Sequence, residues 1–302
     1  MAHSHEHHHE HVHELTSLNK SFIIGITLNI LFVLVEFGIG FYYDSLGLLS
    51  DAGHNLGDVA SLVLAMLAFR LAKVHPNSRY TYGYKKSTVL VSLLNAVILL
   101  VAVGIIITES IEKLFHPVPV EGAAIAWTAG VGVVINAVTA WLFMKDKEKD
   151  LNVKGAYLHM AADTLVSVGV VISGIIIMYT GWTLVDPIIG LVIAVIIVIS
   201  TWSLLHDSLR LSLDGVPVGI DSEKIGRVIL EQPGVESYHH LHIWALSTTE
   251  TAFTAHIVIS DLRRMEEVKR EVKHELEHVG ITHATLEFEY KGACCEGEDC
   301  IS

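Results

Sequence analysis

The chain is poor in charged residues and in proline. Only 18% of its 302 residues carry a charge, whereas about a quarter do in a typical soluble domain, and 51% are hydrophobic. Six prolines leave long stretches in which nothing interrupts a helix. These shortages argue against an ordinary soluble protein and favour a chain built from long apolar helices.

Cysteine and basic residues are also scarce. The three cysteines, Cys294, Cys295 and Cys300, lie within the last nine residues, so they form no disulfide framework, and we expect reduced thiols in the cytoplasm. A formal net charge of −13 excludes nucleic acid as a partner, because a phosphate backbone requires a basic surface. The N-terminus has neither the basic nor the apolar region of a cleavable signal peptide.

Six stretches could cross a bilayer, whose hydrocarbon core of about 30 Å takes roughly 20 helical residues. Four of them contain no Asp, Glu, Lys, Arg or His: Ser87–Thr108, Gly122–Met144, Thr164–Val185 (which extends backward to about Asn152) and Pro187–Leu205. The other two contain a few such residues: Ser21–Tyr43 with Glu36, and Ser45–Phe69 with Asp51, His54 and Asp58. We therefore predict an α-helical membrane protein with six transmembrane helices in residues 21–207.

The loops between these spans indicate the orientation. The loops after the second and fourth spans are basic, whereas the alternate loops hold a single lysine, Lys113. Because loops rich in Lys and Arg remain in the cytoplasm, we place these loops and both termini there. The expected location is the inner (plasma) membrane of a bacterium.

The sequence changes character after the last span. Residues 208–292 contain two helical patterns and three β-rich segments, in the order Asp221–Gln232, Val235–Ser247, Thr249–Ser260, Met265–Val279 and His283–Tyr290. The order helix–strand–strand–helix–strand predicts a small cytoplasmic α+β domain. Residues 293–302 form a cysteine-containing tail.

The second and fifth spans each contain a His-x-x-x-Asp motif. His54 precedes Asp58 by four residues, and His159 precedes Asp163 by the same spacing, so each helix presents an imidazole and a carboxylate on one face. An ionisable residue at membrane depth costs roughly 2.5–3.5 kcal/mol on insertion scales, so its presence requires a reason. Polar contacts between helices would explain one motif, but two motifs on separate spans favour a shared metal site.

Two imidazoles and two carboxylates form a tetrahedral set that suits zinc. Copper(I) fits poorly, because no thiol or thioether completes the set. A bound dication neutralises the two carboxylates, and after it leaves, two anions in a pocket of low dielectric attract protons. Such a site would exchange metal for protons.

Asp51 could admit the metal or cap a helix, and Glu36 could carry protons or form buried hydrogen bonds.

Three longer motifs carry a specific resemblance: Ser45-Leu-Gly-Leu-Leu-Ser-Asp-Ala-Gly-His54, Leu151-Asn-Val-Lys-Gly-Ala-Tyr-Leu-His159 and His240-Leu-His-Ile-Trp244. With the six spans, they resemble the cation diffusion facilitator family, and its bacterial zinc exporters in particular, over about residues 21–300. The resemblance implies a homodimer, alternating access and a cytoplasmic domain of metallochaperone-like (ferredoxin-like) fold that dimerises on binding zinc. It implies a proton-coupled antiporter that exports zinc, with cadmium and other divalent metals as further candidates, for metal homeostasis and resistance.

The resemblance also assigns residues of the cytoplasmic domain. His240, His256 and Glu289 match metal-binding positions of relatives, and His242, Cys294, Cys295 and Cys300 are further candidates. Zinc is then both the substrate and a regulatory ligand, and no prosthetic group is expected. An additional site between the second and third spans, which some relatives have, is predicted to be missing, because Tyr80-Thr-Tyr-Gly-Tyr84 stands there. Lys86 matches a basic residue that pairs with an acid, for which Asp214 is the predicted partner.

The remaining motifs are consistent with several interpretations. Seven of the first thirteen residues are His, which favours a flexible metal-collecting tail over residues 1–20. His-Glu-x-x-His occurs twice in that tail and once at His274–His278, but the domain around the third copy is too small for a protease cleft, so no enzyme is predicted. A passive metal channel or a membrane metal sensor would also contain metal ligands, but a channel would require several weak sites rather than one closed site.

Overall fold

The computed structural model describes residues 7–42, 46–116, 123–182 and 184–290. Six long helices come first in the chain: α1 (His7–Tyr42), α2 (Leu46–Ala72), α3 (Ser87–Phe115), α4 (Ala123–Met144), α5 (Leu151–Thr180) and α6 (Val185–Ser212). Over the described residues, five of them are long and apolar enough to cross a membrane. In α4, the segment Gly130–Met144 is a shorter apolar stretch. The predicted helical transmembrane domain is confirmed.

The six helices pack in two groups. α1, α2, α4 and α5 share one apolar cluster, in which Phe22, Leu62, Phe143 and Met160 are fully buried. α3 pairs with α6, and both pack against α5 through a second cluster. The fifth helix therefore lies at the centre of the domain, in contact with both groups.

The ends of α5 have well-defined caps. The carboxylate of Asp150 accepts hydrogen bonds from the backbone N–H groups of Asn152 and Val153, which have no partner inside the first turn. At the other end Gly181 adopts φ +69°, and its N–H donates to the carbonyl of Ile177. α5 therefore begins more than two turns before His159, and the cap sets how far along the helix His159 lies.

The first helix begins earlier than the apolar span. α1 starts at His7, whereas the apolar span starts at Lys20. The expectation of a flexible tail over residues 1–20 is therefore wrong for the backbone of residues 7–20, which continues the helix. The physical reason is that extending an existing helix adds one hydrogen bond for each residue fixed, whereas starting a helix is costly.

The C-terminal part folds as α7 (Ser222–Leu230), β1 (Val235–Ala245), β2 (Thr251–Ile259), a short 3₁₀ turn, α8 (Met265–His278) and β3 (His283–Tyr290). The sheet has the order β1–β2–β3, with β1 and β2 antiparallel and β2 and β3 parallel. Both helices cover one face of the sheet, where Ile225, Phe253, Val272 and Leu276 form the core. The predicted small α+β domain is confirmed.

The loop between β1 and β2, residues 246–250, contacts the helical domain. The backbone N–H of Thr248 donates to the hydroxyl of Thr88 at the start of α3 (3.1 Å), and the Thr248 hydroxyl donates to the carboxylate of Asp150. Lys85 forms an ion pair with Glu250. Asp150 is almost fully buried there, and burial raises the pKa of its carboxyl above the ordinary value.

The predicted pairing of Lys86 with Asp214 is confirmed as a contact. The Lys86 ammonium lies 2.5 Å from Asp214 Oδ1 and also donates to the carbonyls of Leu211 (2.9 Å) and Ala245 (3.1 Å). Because Leu211 ends the sixth helix and Ala245 ends β1, this one ammonium group joins three segments. The basic loop before α3 thus lies on the same side of the helices as the C-terminal domain.

Candidate metal centres

Three of the four predicted membrane ligands lie together between α2 and α5. The ligand atoms of Asp58, His159 and Asp163 all lie within 4.8 Å of one another. His159 Nε2 lies 2.6 Å from Asp58 Oδ1 and 3.9 Å from Asp163 Oδ2. Asp58 is 2% exposed and His159 is 6% exposed, so the cluster is shielded from solvent.

His54 and Asp51 lie in α2, and their side chains are outside the described residues. The backbone places His54 one helical turn before Asp58, on the same helix face. The interpretation that Asp51 caps this helix is wrong, because α2 begins five residues earlier, at Leu46. The sequence suggested a cap there because Asp is common at helix N-termini.

The separations in the cluster suit a small tetrahedral ion. Zinc bonds to nitrogen and oxygen are about 2.0–2.2 Å long, so tetrahedral geometry holds neighbouring ligand atoms about 3.3–3.5 Å apart. The two measured separations from His159, 2.6 and 3.9 Å, lie on either side of this value. Small side-chain rotations would therefore allow all three groups to ligate one ion.

A proton and a metal ion would compete for the same atoms of this cluster. At 2.6 Å, His159 Nε2 and Asp58 Oδ1 form a hydrogen bond, and this requires a proton between them. An ion that binds both atoms needs the lone pairs that this proton occupies. Asp58 Oδ2 is buried with no hydrogen-bond partner among the described residues, which leaves an acceptor for either cation.

Two further polar groups, not identified from the sequence, lie beside the cluster. A small cavity next to His159 is lined by Ser61 and Asn95, and the Asn95 amide oxygen is buried without a hydrogen-bond partner within the described part of the chain. Asn55, three residues before Asp58 on α2, donates to Glu36 Oε2 at 2.7 Å, and Glu36 is fully buried. Glu36 is thus a hydrogen-bonding group between α1 and α2.

A second cluster lies on the open face of the C-terminal sheet. The ligand atoms of His239, His256 and Glu289 lie within 4.8 Å of one another, and all three residues are partly exposed. His256 Nδ1 donates to Glu289 Oε1 at 2.6 Å, and His239 Nε2 lies 3.4 Å from Glu289 Oε2. Two of these residues, His256 and Glu289, were predicted, and His239 was missed.

A β-bulge explains why His239 replaces His240 in the cluster. The pairing register of β1 shifts between His239 and His242, and His240 adopts φ +50°, in the left-handed region. The bulge places His239 directly opposite His256, while the His240 ring stacks on the His256 ring with a centroid distance of 5.0 Å. Side-chain alternation cannot predict such a break, because an extra residue in one strand reverses which side chains share a face.

The other predicted ligands lie elsewhere. His242 is exposed, and its ring lies 6.4 Å from that of His240, outside the cluster. Cys294, Cys295 and Cys300 lie outside the described residues. In the loop before α3 the rings of Tyr80 and Tyr84 pack together at 4.8 Å. The absence of an additional metal site from this loop stays a prediction.

Known proteins resemble the chain over nearly its full length. It is 37% identical to a zinc transporter, ZitB, from Escherichia coli, over 99% of this chain and 96% of that protein. It is 36% identical to a cadmium, cobalt and zinc/H(+)-K(+) antiporter from Bacillus subtilis (85% of each chain) and to a metal cation efflux system protein, CzcD, from Cupriavidus metallidurans (93% of this chain, 89% of that one). A solved metal-bound C-terminal domain of a CzcD transporter is 39% identical over 23% of this chain and 99% of that chain, with a TM-score of 0.22.

Two family models match successive parts of the chain. The cation efflux transmembrane domain matches residues 22–211, which contain α2 and α5 with the buried cluster. The cytoplasmic domain of cation efflux proteins matches residues 217–290, which contain the sheet with the second cluster. These proteins are transporters and not enzymes, so the His-Glu-x-x-His motif is no sign of a protease. The chain belongs to the cation efflux family, which is the cation diffusion facilitator family expected from the sequence.

Proposed function

We propose that the chain exports Zn²⁺, and Cd²⁺ with it, from the cytoplasm in exchange for protons. The observation that carries this proposal is the buried group of Asp58, His159 and Asp163 on two membrane helices. The names of the relatives, a zinc transporter and a cadmium, cobalt and zinc/H(+)-K(+) antiporter, support the same substrates and the coupling.

His54 is the proposed fourth ligand of the transport site. Its position one turn before Asp58 on α2 repeats the spacing between His159 and Asp163 on α5. Two carboxylates and a dication sum to zero charge, which lowers the cost of burying them. When the ion leaves, protons restore neutrality, and the hydrogen bond between His159 and Asp58 is one place that holds a proton.

The sheet cluster is the proposed regulatory site. His239, His256 and Glu289 provide two imidazoles and one carboxylate at the surface of the domain, and a second copy of the chain or water would complete a tetrahedral set. His240, His242 and the three cysteines remain candidates for that completion. The match to the cytoplasmic domain of the family supports a homodimer.

The orientation follows from the same proposal. The basic loop that holds Lys85 and Lys86 contacts the C-terminal domain, which supports a common cytoplasmic side for the basic loops and both termini. The inner membrane of a bacterium is the proposed location.

Zinc-driven proton flux in proteoliposomes tests the proposal, with the wild type compared with Asp163→Ala. We expect exchange by the wild type and none by Asp163→Ala, whereas the control Asp146→Ala, in the turn after α4 where Asp146 pairs with Lys149, should retain exchange. Zinc movement without any effect of a pH gradient would indicate a channel. Absence of zinc movement in every variant would indicate a sensor.

A further inference from the structure

α8 carries a histidine pair that neither metal centre uses. His274 and His278 are exposed, their Nε2 atoms lie 3.3 Å apart, and their ring centroids lie 4.6 Å apart. A spacing of four residues places both imidazoles on the same helix face. The helix itself therefore holds the two nitrogen atoms together, independently of the rest of the fold.

The separation of the two nitrogens fits one tetrahedral ion. Two zinc–nitrogen bonds of about 2.0–2.1 Å at a tetrahedral angle place their nitrogens about 3.3–3.4 Å apart. The measured separation is 3.3 Å. Each imidazole would offer one lone pair, and no backbone movement is needed to bring the two ligands to the ion.

Charged side chains of both signs lie near this pair, since the groove that contains His274 is also lined by Glu266, Lys269, Arg270, Lys273 and Glu277. Glu271 precedes His274 by three residues, and Glu275 precedes His278 by three, so both start on the same face of α8. Glu271 Oε2 is buried with no hydrogen-bond partner in the described ranges. A nearby carboxylate with water would complete the coordination shell of an ion held by the two imidazoles.

The pair lies on the opposite side of the domain from the sheet cluster. Val272 and Leu276 of α8 pack against the face of the sheet that presents Phe253 and Ile257. Side chains alternate along a strand, so His256, between Ala255 and Ile257, faces away from α8. The sheet separates the two sets of histidines, so no single ion can bind both.

We propose that His274 and His278 form a second cytoplasmic site for a divalent transition-metal ion such as Zn²⁺. The His-Glu-x-x-His spacing on α8 is then a helical chelate and not a catalytic motif. The site depends only on the geometry of α8, so it stands or falls separately from the proposed transport function.

Zinc stoichiometry of the full chain in detergent tests this site. Equilibrium dialysis against zinc, with the bound metal measured by atomic absorption, should show one ion fewer per chain in H274Q/H278Q than in the wild type. Lys273→His with His274→Gln keeps the number of histidines but separates the pair by five residues, and it should lose the same ion. His75→Gln with His116→Gln removes two exposed histidines that do not face each other, and it should lose none.

A double comparison establishes whether the site is separate. In a background of His239→Ala and His256→Ala, H274Q/H278Q should remove a further ion. The proposal is overturned if H274Q/H278Q binds as much zinc as the wild type at an unchanged melting temperature. It is also overturned if the two sets of substitutions together remove no more metal than either set alone.

Discussion

The two proposed metal centres use the same kinds of ligand, but in different proportions and with different burial. In the membrane, Asp58 and His159 are almost fully buried, and two carboxylates accompany one described imidazole. On the sheet, His239, His256 and Glu289 are partly exposed, and two imidazoles accompany one carboxylate. The membrane site therefore has two nearly inaccessible ligands and the higher ratio of carboxylate to imidazole.

The same types of ligand can thus serve metal–proton exchange at one site and regulation at the other. A buried pair of carboxylates must be neutralised, so loss of the metal requires the gain of protons. The sheet site holds one carboxylate instead of two, and that carboxylate already accepts a hydrogen bond from His256, so metal can leave the sheet without a compensating cation. We therefore expect proton coupling at the membrane site and not at the sheet site.

The largest effect should come from Asp58→Asn. The amide has the size of the carboxylate and still accepts the hydrogen bond from His159, but it no longer balances the charge of a dication. We expect zinc transport in proteoliposomes to fall by at least about 100-fold, since even outer-sphere changes at metal sites cost 10–100-fold. Asp146→Asn, the same chemical change in the turn after α4, should leave transport intact. Transport by Asp58→Asn at the wild-type rate would show that the carboxylate charge of Asp58 is not needed at the membrane site.

Substitution of the sheet ligands should have a smaller effect on transport. His239→Ala or His256→Ala removes an imidazole from the cluster, and we expect zinc affinity of the sheet site to fall by about tenfold or more. Zinc transport should remain coupled to protons, because the sheet site holds no buried pair of carboxylates. Titration calorimetry reports the affinity, and His116→Ala is the control. If His256→Ala uncouples zinc from protons, the assignment of coupling to the membrane site is wrong.

At the junction between the helical domain and the C-terminal domain, the contacts of Lys86 should contribute to stability. Asp214 is exposed, so Asp214→Ala should cost at most about 1 kcal/mol of stability. Lys86→Ala should cost about 1.5–3 kcal/mol, because hydrogen bonds from the ammonium to the carbonyls of Leu211 and Ala245 are also lost. Charge reversal of both residues should restore stability only in part, since a carboxylate at position 86 would face two carbonyls. Thermal unfolding in detergent measures these differences, and full restoration would show that the ion pair alone holds the junction.

A smaller effect than that of Lys86→Ala is expected at Asp150. Asp150→Ala removes a helix cap and should cost about 1 kcal/mol, whereas Asp150→Asn keeps an oxygen for the N–H groups of Asn152 and Val153. Burial raises the pKa of Asp150, so its stabilising contribution is present below the ordinary pKa of 3.8 and is lost as the pH rises through the raised value. Thermal unfolding should therefore show a fall in stability with pH in the wild type that Asp150→Asn lacks. An identical pH profile in both would contradict the buried position of this carboxyl.

Local spacing made most of the fold predictable from the sequence. Length and apolarity define the six helices, and a spacing of four residues places His159 beside Asp163 without knowledge of the tertiary structure. The C-terminal domain could be predicted because long apolar runs give way to shorter helical and strand patterns after the last span. The structure has the predicted order of helices and strands. Lys86 and Asp214 could be paired only through the resemblance to the family, since 128 residues separate them.

Features that depend on tertiary contacts could not be predicted. His239 enters the sheet cluster because of a bulge with positive φ at His240, and histidine gives no strong signal for that conformation. The cavity beside Asn95 forms only where three helices meet, and the contact of Thr248 with Asp150 joins residues 98 positions apart. No periodic pattern in the sequence records such contacts.

The central claim is that metal displaces a proton from the pair His159 and Asp58. The most direct measurement is the number of protons released for each Zn²⁺ bound, followed with a pH dye in weakly buffered detergent, in a background that combines His239→Ala and His256→Ala with H274Q/H278Q. We expect at least one proton for each ion at the membrane site, and no such release from a variant that also carries Asp58→Asn. Zinc binding at this site without proton release would contradict the account.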